Sequence, residues 1–144
     1  MKALSEAPLE RPIDLQQSTR PTLVIIGNGM AGYKLCERLV TRGANKQYRI
    51  VVFGEEPRPA YDRVHLTDFL AGRSVDALTL AYTEWYADNN IELNTGEPVV
   101  SIDCESQVVC TALGNSTRYD KLVFATGSRP FVPPIEGTNL QNVF

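Results

Sequence analysis

Six residues near the start of the chain have types and spacing suited to holding a phosphate group. They read GNGMAG at positions 27–32, the pattern GxGxxG. Gly27 allows a sharp turn, Gly29 leaves room for a pyrophosphate beside the backbone, and Gly32 lets a helix pack close to a sheet. A helix that starts here also offers unpaired N–H groups and the positive end of its dipole. The pattern therefore predicts a dinucleotide phosphate loop made of Gly27, Gly29, Met30, Ala31 and Gly32.

Such a loop needs a carboxylate about 20 residues further on, which would bind the ribose hydroxyls. Glu55 and Glu56 stand 23 and 24 residues after Gly32, at the predicted end of a second strand. An acid at this position favours an unphosphorylated ribose, as in FAD or NAD, over NADP. The loop and the two acids leave the choice between FAD and NAD open.

A βαβ unit is needed to position these residues, and the hydrophobic pattern predicts one. The apolar runs at 22–26 and 49–53 are typical of strands buried on both faces of a parallel sheet. Between them, residues 30–42 carry apolar side chains at helical spacing, and Gly43 follows as a C-terminal cap. We therefore expect a Rossmann-like α/β fold in which the phosphate loop joins the first strand to the helix.

Smaller elements are expected after the second strand. Two are short helices, at 66–71 and at 83–89, the second with Thr83 as its N-cap. Four are strands, at 91–93, 98–103, 107–111 and 122–125. The middle two, joined by a tight polar turn, begin a small β-meander. A Rossmann-like start, a Pro-rich loop, a meander and then LVFATG follow the order of flavoprotein reductases, which favours FAD over NAD.

Composition and charge exclude several classes of protein. Among 144 residues, 43% are hydrophobic and 22% charged, with a net charge of −3, which is ordinary for one folded domain. No basic excess is present to attract nucleic acid or an anionic membrane surface. No apolar run suits a membrane span or a secretory signal, so a cytoplasmic location is expected. Residues 1–20 predict a loose polar arm, and the folded domain is expected to span 21–144.

The three cysteines have no metal-binding spacing. Cys36 stands alone, and Cys104 and Cys110 are six residues apart, which fits neither CxxC nor a zinc pattern. In a reducing compartment all three are expected to be thiols. No metal site is predicted.

Three stretches resemble a known family of enzymes. VIIGNGMAG at 24–32, VVFGEEPRPAYDRVHL at 51–66 and YDKLVFATGSRPFVPPI at 119–135 are similar to the N-terminal FAD-binding region of the NAD(P)H-dependent nitrite reductase large subunit. That region belongs to the wider pyridine nucleotide–flavin reductases, near the rubredoxin and ferredoxin reductases. The resemblance covers nearly all of 22–144 and implies that FAD is the cofactor.

The resemblance also implies roles for single residues. The phosphate loop corresponds to the segment that holds the FAD pyrophosphate. Glu56 matches the acid that binds the AMP ribose, with Glu55 as second choice, and Arg63 matches the YDR arginine that reaches the flavin nucleotide. Val99 matches a position whose backbone contacts adenine. The segment that returns to the cofactor matches Ala125, Thr126, Gly127 and Arg129.

In a full-length enzyme of this kind, the resemblance implies hydride transfer from NAD(P)H to FAD. Electrons would then pass through an iron–sulfur cluster to a sirohaem that reduces nitrite. Residues 1–144 contain no second GxGxxG and no cysteine set for a cluster. The chain is therefore expected to be a truncated FAD-binding domain without catalytic residues of its own, inactive alone. Its expected partners are the missing C-terminal reductase domains, with a homodimer as a further option.

Two other functions stay open. The first is the corresponding part of a rubredoxin- or ferredoxin-type reductase. In YDRVHLTD, however, Asp68 replaces the lysine of those reductases, and His65 replaces a proline and is expected to be solvated. The second is a non-catalytic Rossmann-like module for binding or assembly, which would bind no nucleotide.

Overall fold

The computed structural model describes residues 20–72, 74–128, 131, 133–138, 140 and 141. Within this part of the chain the helices are α1 (Met30–Thr41), α2 (Leu66–Leu70) and α3 (Thr83–Asp88). The strands are β1 (Thr22–Ile26), β2 (Arg49–Gly54), β3 (Ile91–Thr95), β4 (Val99–Asp103), β5 (Val108–Thr111), β6 (Ser116–Arg118) and β7 (Lys121–Phe124). Short 3₁₀ turns cover Ala44–Lys46 and Asp76–Leu78.

Four strands form a parallel sheet in the order β3-β2-β1-β7. In the two central pairings, Val24 of β1 lies opposite Val51 of β2 and Leu122 of β7. Because all four strands run the same way, their carboxyl ends lie at one edge of the sheet. The segments that follow β1, β2 and β7 therefore meet at that edge, where open α/β sheets bind their ligands.

The apolar strands are buried on both faces by different layers. Ile25 of β1 faces α1 and α3, together with Cys36 and Tyr86, and all three side chains are fully buried. The neighbouring residue Val24 faces the other way and packs with Val109 of β5. Each such side chain stabilises the fold by about 1.5–3 kcal/mol when removed from water. This three-layer arrangement explains why the strands read as continuous apolar runs rather than alternating ones.

The second sheet is antiparallel, in the order β4-β5-β6, and confirms the predicted meander. Its third strand, Ser116–Arg118, was not predicted, because three polar residues give no hydrophobic signal. β4 begins at Val99, one residue later than predicted. Proline has no backbone N–H to offer a strand, and Pro98 precedes it.

Other boundaries also differ from the prediction. Thr83 is the first residue of α3 rather than its N-cap, which is Tyr82, and no side chain caps the helix. α1 ends at Thr41, and Gly43 follows in the left-handed region with φ of +69° as predicted for a C-terminal cap. β3 extends to Thr95 because its last residues pair with the end of β2.

The predicted N-terminal arm lies almost wholly outside the described residues. Its last residue, Arg20, is described, and its Nη1 donates to the carbonyl oxygen of Asn45 at 3.2 Å. In the described part of the chain, no helix has both the length and the apolar character needed to cross a membrane.

Candidate functional site

The loops at the carboxyl edge of the parallel sheet enclose a cavity of about 830 Å³. That volume is within the roughly 300–1,000 Å³ typical of small-molecule sites. The segments after β1, β2 and β7 and the start of β4 form its wall. These predicted site residues lie in the wall: Gly27, Gly29, Met30, Ala31, Glu55, Glu56, Arg63, Val99, Ala125, Thr126 and Gly127. Gly32 lies in α1 outside the wall, and Arg129 falls outside the described residues.

The first and third glycines of the phosphate loop are required by the packing of the chain itself. Gly27 has φ of +107°, and a Cβ there would stand 2.3 Å from the carbonyl oxygen of Ala125. A Cβ on Gly32 would stand 2.1 Å from the carbonyl oxygen of Gly27. The Gly27 N–H also donates to the carbonyl oxygen of Phe53 at 2.8 Å. These contacts bring the start of α1 close to the ends of β1, β2 and β7.

Gly29 is different, because nothing in the packing of the chain requires a glycine there. Its φ of −86° and ψ of −166° are extended values open to any residue. A Cβ at this position would meet no atom within 4 Å in the part of the chain that the structure describes, apart from its two chain neighbours. Gly29 lines the cavity and directly precedes α1, whose first N–H groups have no partners within the helix. The space in front of Gly29 is therefore open to an anionic group that does not belong to the chain.

Charged residues of both signs line the cavity after β2. Glu56 forms an ion pair with Nη2 of Arg63, whose guanidinium carbon lies 5.4 Å from the centroid of the Tyr61 ring. Burial raises the pKa of Tyr61, and a hydrogen bond to the Glu56 side chain raises it further. The sequence assigned Glu56 and Arg63 to separate contacts with a nucleotide, whereas the structure joins them. Glu55 and Arg58 line the same cavity.

Val99 closes the cavity on the side of the antiparallel sheet, and a buried carboxylate holds this part of the chain in place. Oε1 of Glu97 accepts hydrogen bonds from Oγ1 of Thr111 at 2.8 Å and from Nδ2 of Asn115 at 2.6 Å. The backbone N–H of Glu97 donates to the carbonyl oxygen of Gly54 at 2.9 Å. Glu97 thus ties the β3–β4 connection to both sheets, two residues before Val99.

Sequence reasoning missed four polar residues of the cavity wall, Asn28, Arg58, Tyr61 and Ser128. Tyr61 stands beside Arg63 in the YDR motif, so the motif itself could have selected it. Asn28 occupies a variable position of GxGxxG, which carries no expectation for a side chain. Its Oδ1 accepts a hydrogen bond from Oη of Tyr86 at 2.9 Å. Because that partner lies in α3, no local pattern could have revealed it.

The histidine and the cysteines lie away from this site. Nδ1 of His65 lies 2.7 Å from Oδ2 of Asp62, outside the cavity wall, and this contact lowers the pKa of Asp62. Cys36 is buried in the core, which raises the pKa of its thiol to about 12. Cys104 and Cys110 are also free thiols. Among residues the structure describes, no three His, Cys, Asp or Glu side chains are grouped to hold a metal ion.

A parallel sheet with a glycine-rich loop after β1, helices on one face and a three-stranded antiparallel sheet on the other form a Rossmann-like α/β domain. The chain belongs to the pyridine nucleotide-disulphide oxidoreductase family, whose pattern matches residues 21–144. This membership confirms the fold class that the sequence predicted.

The chain is similar to part of several longer proteins. It is 52% identical over 126 residues to the nitrite reductase [NAD(P)H] large subunit of Klebsiella oxytoca, a match that covers 88% of this chain and 13% of that protein. It is 34% identical over 122 residues to the ferredoxin–NAD(+) reductase subunit of the benzene 1,2-dioxygenase system of Pseudomonas putida, covering 84% of this chain and 29% of that protein. The predicted resemblance to nitrite reductase large subunits is confirmed.

A solved structure shows the same fold. The ferredoxin reductase for the CYP199A2 system of Rhodopseudomonas palustris matches with a TM-score of 0.76 and 29% identity. The match covers 86% of this chain and 30% of that one. The chain thus spans less than a third of the length of each of these proteins.

Proposed function

We propose that this chain is the FAD-binding part of an NAD(P)H-dependent reductase of the nitrite reductase large-subunit type. The observation that carries the proposal is the open space in front of Gly29. A glycine that the packing does not need, placed at the start of α1 and inside a cavity, is explained by a ligand phosphate that approaches the backbone. The 52% identity to a nitrite reductase large subunit supports the choice of branch.

The residues around the cavity fit a flavin dinucleotide. The N-terminus of α1 would hold the pyrophosphate, and its positive dipole end would offset the charge. Glu56, or Glu55 as second choice, would bind the ribose hydroxyls of the AMP half. Val99 would contact adenine, and the segment Ala125, Thr126 and Gly127 would meet the cofactor from the end of β7. Arg63 and Arg58 supply positive charge on the same wall.

The chain itself contributes binding and orientation. When bound, FAD supplies the capacity to accept hydride from NAD(P)H and to pass electrons onward. The carboxylates, arginines and backbone N–H groups of the wall would hold the nucleotide and set its orientation. We propose that turnover needs the other reductase domains of a longer protein, with their iron–sulfur cluster and sirohaem, and that the chain alone is inactive.

A second candidate is the same part of a ferredoxin-type reductase. It is favoured by the 34% identity to the benzene dioxygenase reductase subunit and by the similarity to a solved ferredoxin reductase. Asp68, which stands in the first turn of α2 where such reductases carry lysine, favours the nitrite reductase branch. The reading frame beyond codon 144 separates the two, since a cysteine-rich sirohaem module is expected only for nitrite reductase.

Calorimetric titration of the purified chain with FAD, and separately with NADH, tests the proposal. We expect submillimolar binding of FAD and no binding of NADH. Binding of NADH alone would contradict the flavin assignment and indicate a small NAD domain. If neither binds, the same titration is made on a longer chain that continues past residue 144. Absence of FAD binding by that chain as well would support a non-catalytic Rossmann-like module.

A further inference from the structure

Asn28 has one end of its side chain held and the other end unpaired. Its Oδ1 accepts a hydrogen bond from Oη of Tyr86, 58 residues further along the chain, at 2.9 Å. Its Nδ2 is buried and has no hydrogen-bond partner among the described residues. Asn28 belongs to the phosphate loop and lines the cavity beside Gly29. A buried donor without an acceptor is costly, so this arrangement suits a site whose ligand supplies the acceptor.

Tyr86 is well placed to fix the Asn28 amide. Its side chain is fully buried between α3 and the parallel sheet, and its ring packs at 5.1 Å and 89° against Trp85. A fixed ring leaves the hydroxyl in one place, where it donates to Oδ1. Because the amide group is planar, holding the oxygen also sets the direction of Nδ2. A phosphate oxygen is an acceptor, and a donor that is already oriented meets it without an ordering cost.

We propose that Tyr86 is a positioning residue for the cofactor: it holds Asn28 so that Nδ2 donates a hydrogen bond to the pyrophosphate. This inference rests on the proposed FAD-binding function. It adds a side-chain donor to a loop otherwise built from backbone N–H groups. It also links α3, which does not line the cavity, to the affinity for the nucleotide.

The two residues are tested together in a double-mutant cycle. FAD affinity is measured by calorimetry for the unaltered chain, Tyr86→Phe, Asn28→Ala and the double variant. We expect each single change to weaken FAD binding by roughly tenfold, the size of one hydrogen bond to a charged group. The double variant should lose no more FAD affinity than Asn28→Ala alone, because Tyr86 acts only through Asn28. The inference would be overturned if the losses of FAD affinity in the two single variants added up in the double variant, or if Tyr86→Phe bound FAD as well as the unaltered chain.

If the Tyr86 hydroxyl had only a structural role, its removal would change the stability of the fold and not the affinity for FAD. Asn28→Asp separates the two roles, since a carboxylate still accepts from Tyr86 but cannot donate to a phosphate. A charged oxygen in place of the buried Nδ2 is itself expected to lower resistance to urea. We expect Asn28→Asp to fold without FAD and to lose FAD affinity by more than Asn28→Ala. Equal FAD binding by Asn28→Asp and the unaltered chain would contradict the donor role.

Two matched controls show that the effect is specific. Tyr33→Phe removes a hydroxyl from the same aromatic cluster, where the Tyr33 ring lies 5.3 Å from Trp85 and outside the cavity wall. Asn94→Ala removes another buried amide with an unpaired Nδ2, also outside the wall. Both should bind FAD like the unaltered chain, and weakening equal to that of Tyr86→Phe would overturn the inference.

The outcomes also separate this inference from the proposed function. If the unaltered chain binds FAD and Tyr86→Phe binds it equally well, only the positioning role fails. If neither the unaltered chain nor the chain that continues past residue 144 binds FAD, the proposed function fails, and the role of Tyr86 fails with it.

Discussion

Gly32 packs so closely against Gly27 that a Cβ on residue 32 would stand 2.1 Å from the Gly27 carbonyl oxygen. The first and third glycines of the phosphate loop are therefore needed for the fold, whether or not a nucleotide is bound. For Gly29, between them, a Cβ would meet no atom of the described residues within 4 Å, apart from its chain neighbours. One motif thus combines two positions required by folding with one that the packing of the described residues does not require.

Substitution of these glycines should separate folding from binding. Gly32→Ala is expected to lower the free energy of unfolding by about 3 kcal/mol or to prevent folding, because backbone atoms cannot move away cheaply. Gly29→Val should change it by less than about 0.5 kcal/mol, since a branched side chain fits an extended backbone. It should nevertheless abolish FAD binding. Urea unfolding and calorimetry measure both effects, and unweakened FAD binding by Gly29→Val would refute the phosphate-loop assignment.

The two acids after β2 are expected to contribute unequally to FAD binding. Glu56→Gln should weaken it by about tenfold, because a neutral amide accepts more weakly from two ribose hydroxyls. Glu55→Gln, a neighbouring change of the same kind, serves as the control and should have a smaller effect. Both variants should keep the free energy of unfolding within about 1 kcal/mol, because the Glu56–Arg63 pair is largely exposed. A larger loss for Glu55→Gln would reassign the ribose to Glu55.

The buried carboxylate of Glu97 is expected to stabilise the contact between the two sheets. Glu97→Ala leaves the donors of Thr111 and Asn115 unpaired, which should cost about 2–3 kcal/mol in urea unfolding. Glu92→Ala is a suitable control, because Glu92 pairs with Arg49 at 2.8 Å but is 47% exposed. Its removal should cost less than about 1 kcal/mol. Equal costs for the two variants would contradict the role assigned to Glu97.

The buried Cys36 thiol should make the fold sensitive to alkaline pH. Burial raises the pKa of Cys36 from 9.0 to about 12 and also raises the pKa of Tyr86. Above pH 9 the unfolded chain releases a proton from Cys36 that the folded chain retains, so stability falls as pH rises from about 9 towards 12. For each such group, the free energy of unfolding falls by up to about 1.4 kcal/mol per pH unit within this range.

Urea unfolding between pH 7 and pH 11.5 measures this dependence. Cys36→Ala should reduce the slope above pH 9, although it lowers stability at every pH by leaving a small cavity. An identical slope in Cys36→Ala and the unaltered chain would rule out the thiol as its source.

The sequence by itself determined the βαβ start, the phosphate loop and the succession of later strands. These features follow from local patterns: an apolar run, a glycine motif, a helical stripe and a second run within about 30 residues. The glycine motif and the acids after the second strand also predicted part of the cavity wall: Gly27, Gly29, Met30, Ala31, Glu55 and Glu56. The other predicted wall residues came from the family resemblance and not from a local pattern: Arg63, Val99, Ala125, Thr126 and Gly127. Local patterns failed for β6, whose three polar residues form a strand only because β5 lies beside them.

Only the tertiary structure decided which side chains meet. Tyr86 reaches Asn28 across 58 residues, and Glu97 reaches Thr111 across 14. Arg63 reaches Glu56 across 7 residues, and both line the cavity. Such contacts depend on how the layers pack, and a linear pattern carries no information on the distance between two loops. The sequence thus predicted a nucleotide site after β1 and β2, and the packing of α3 and the second sheet determined which side chains meet around the cavity.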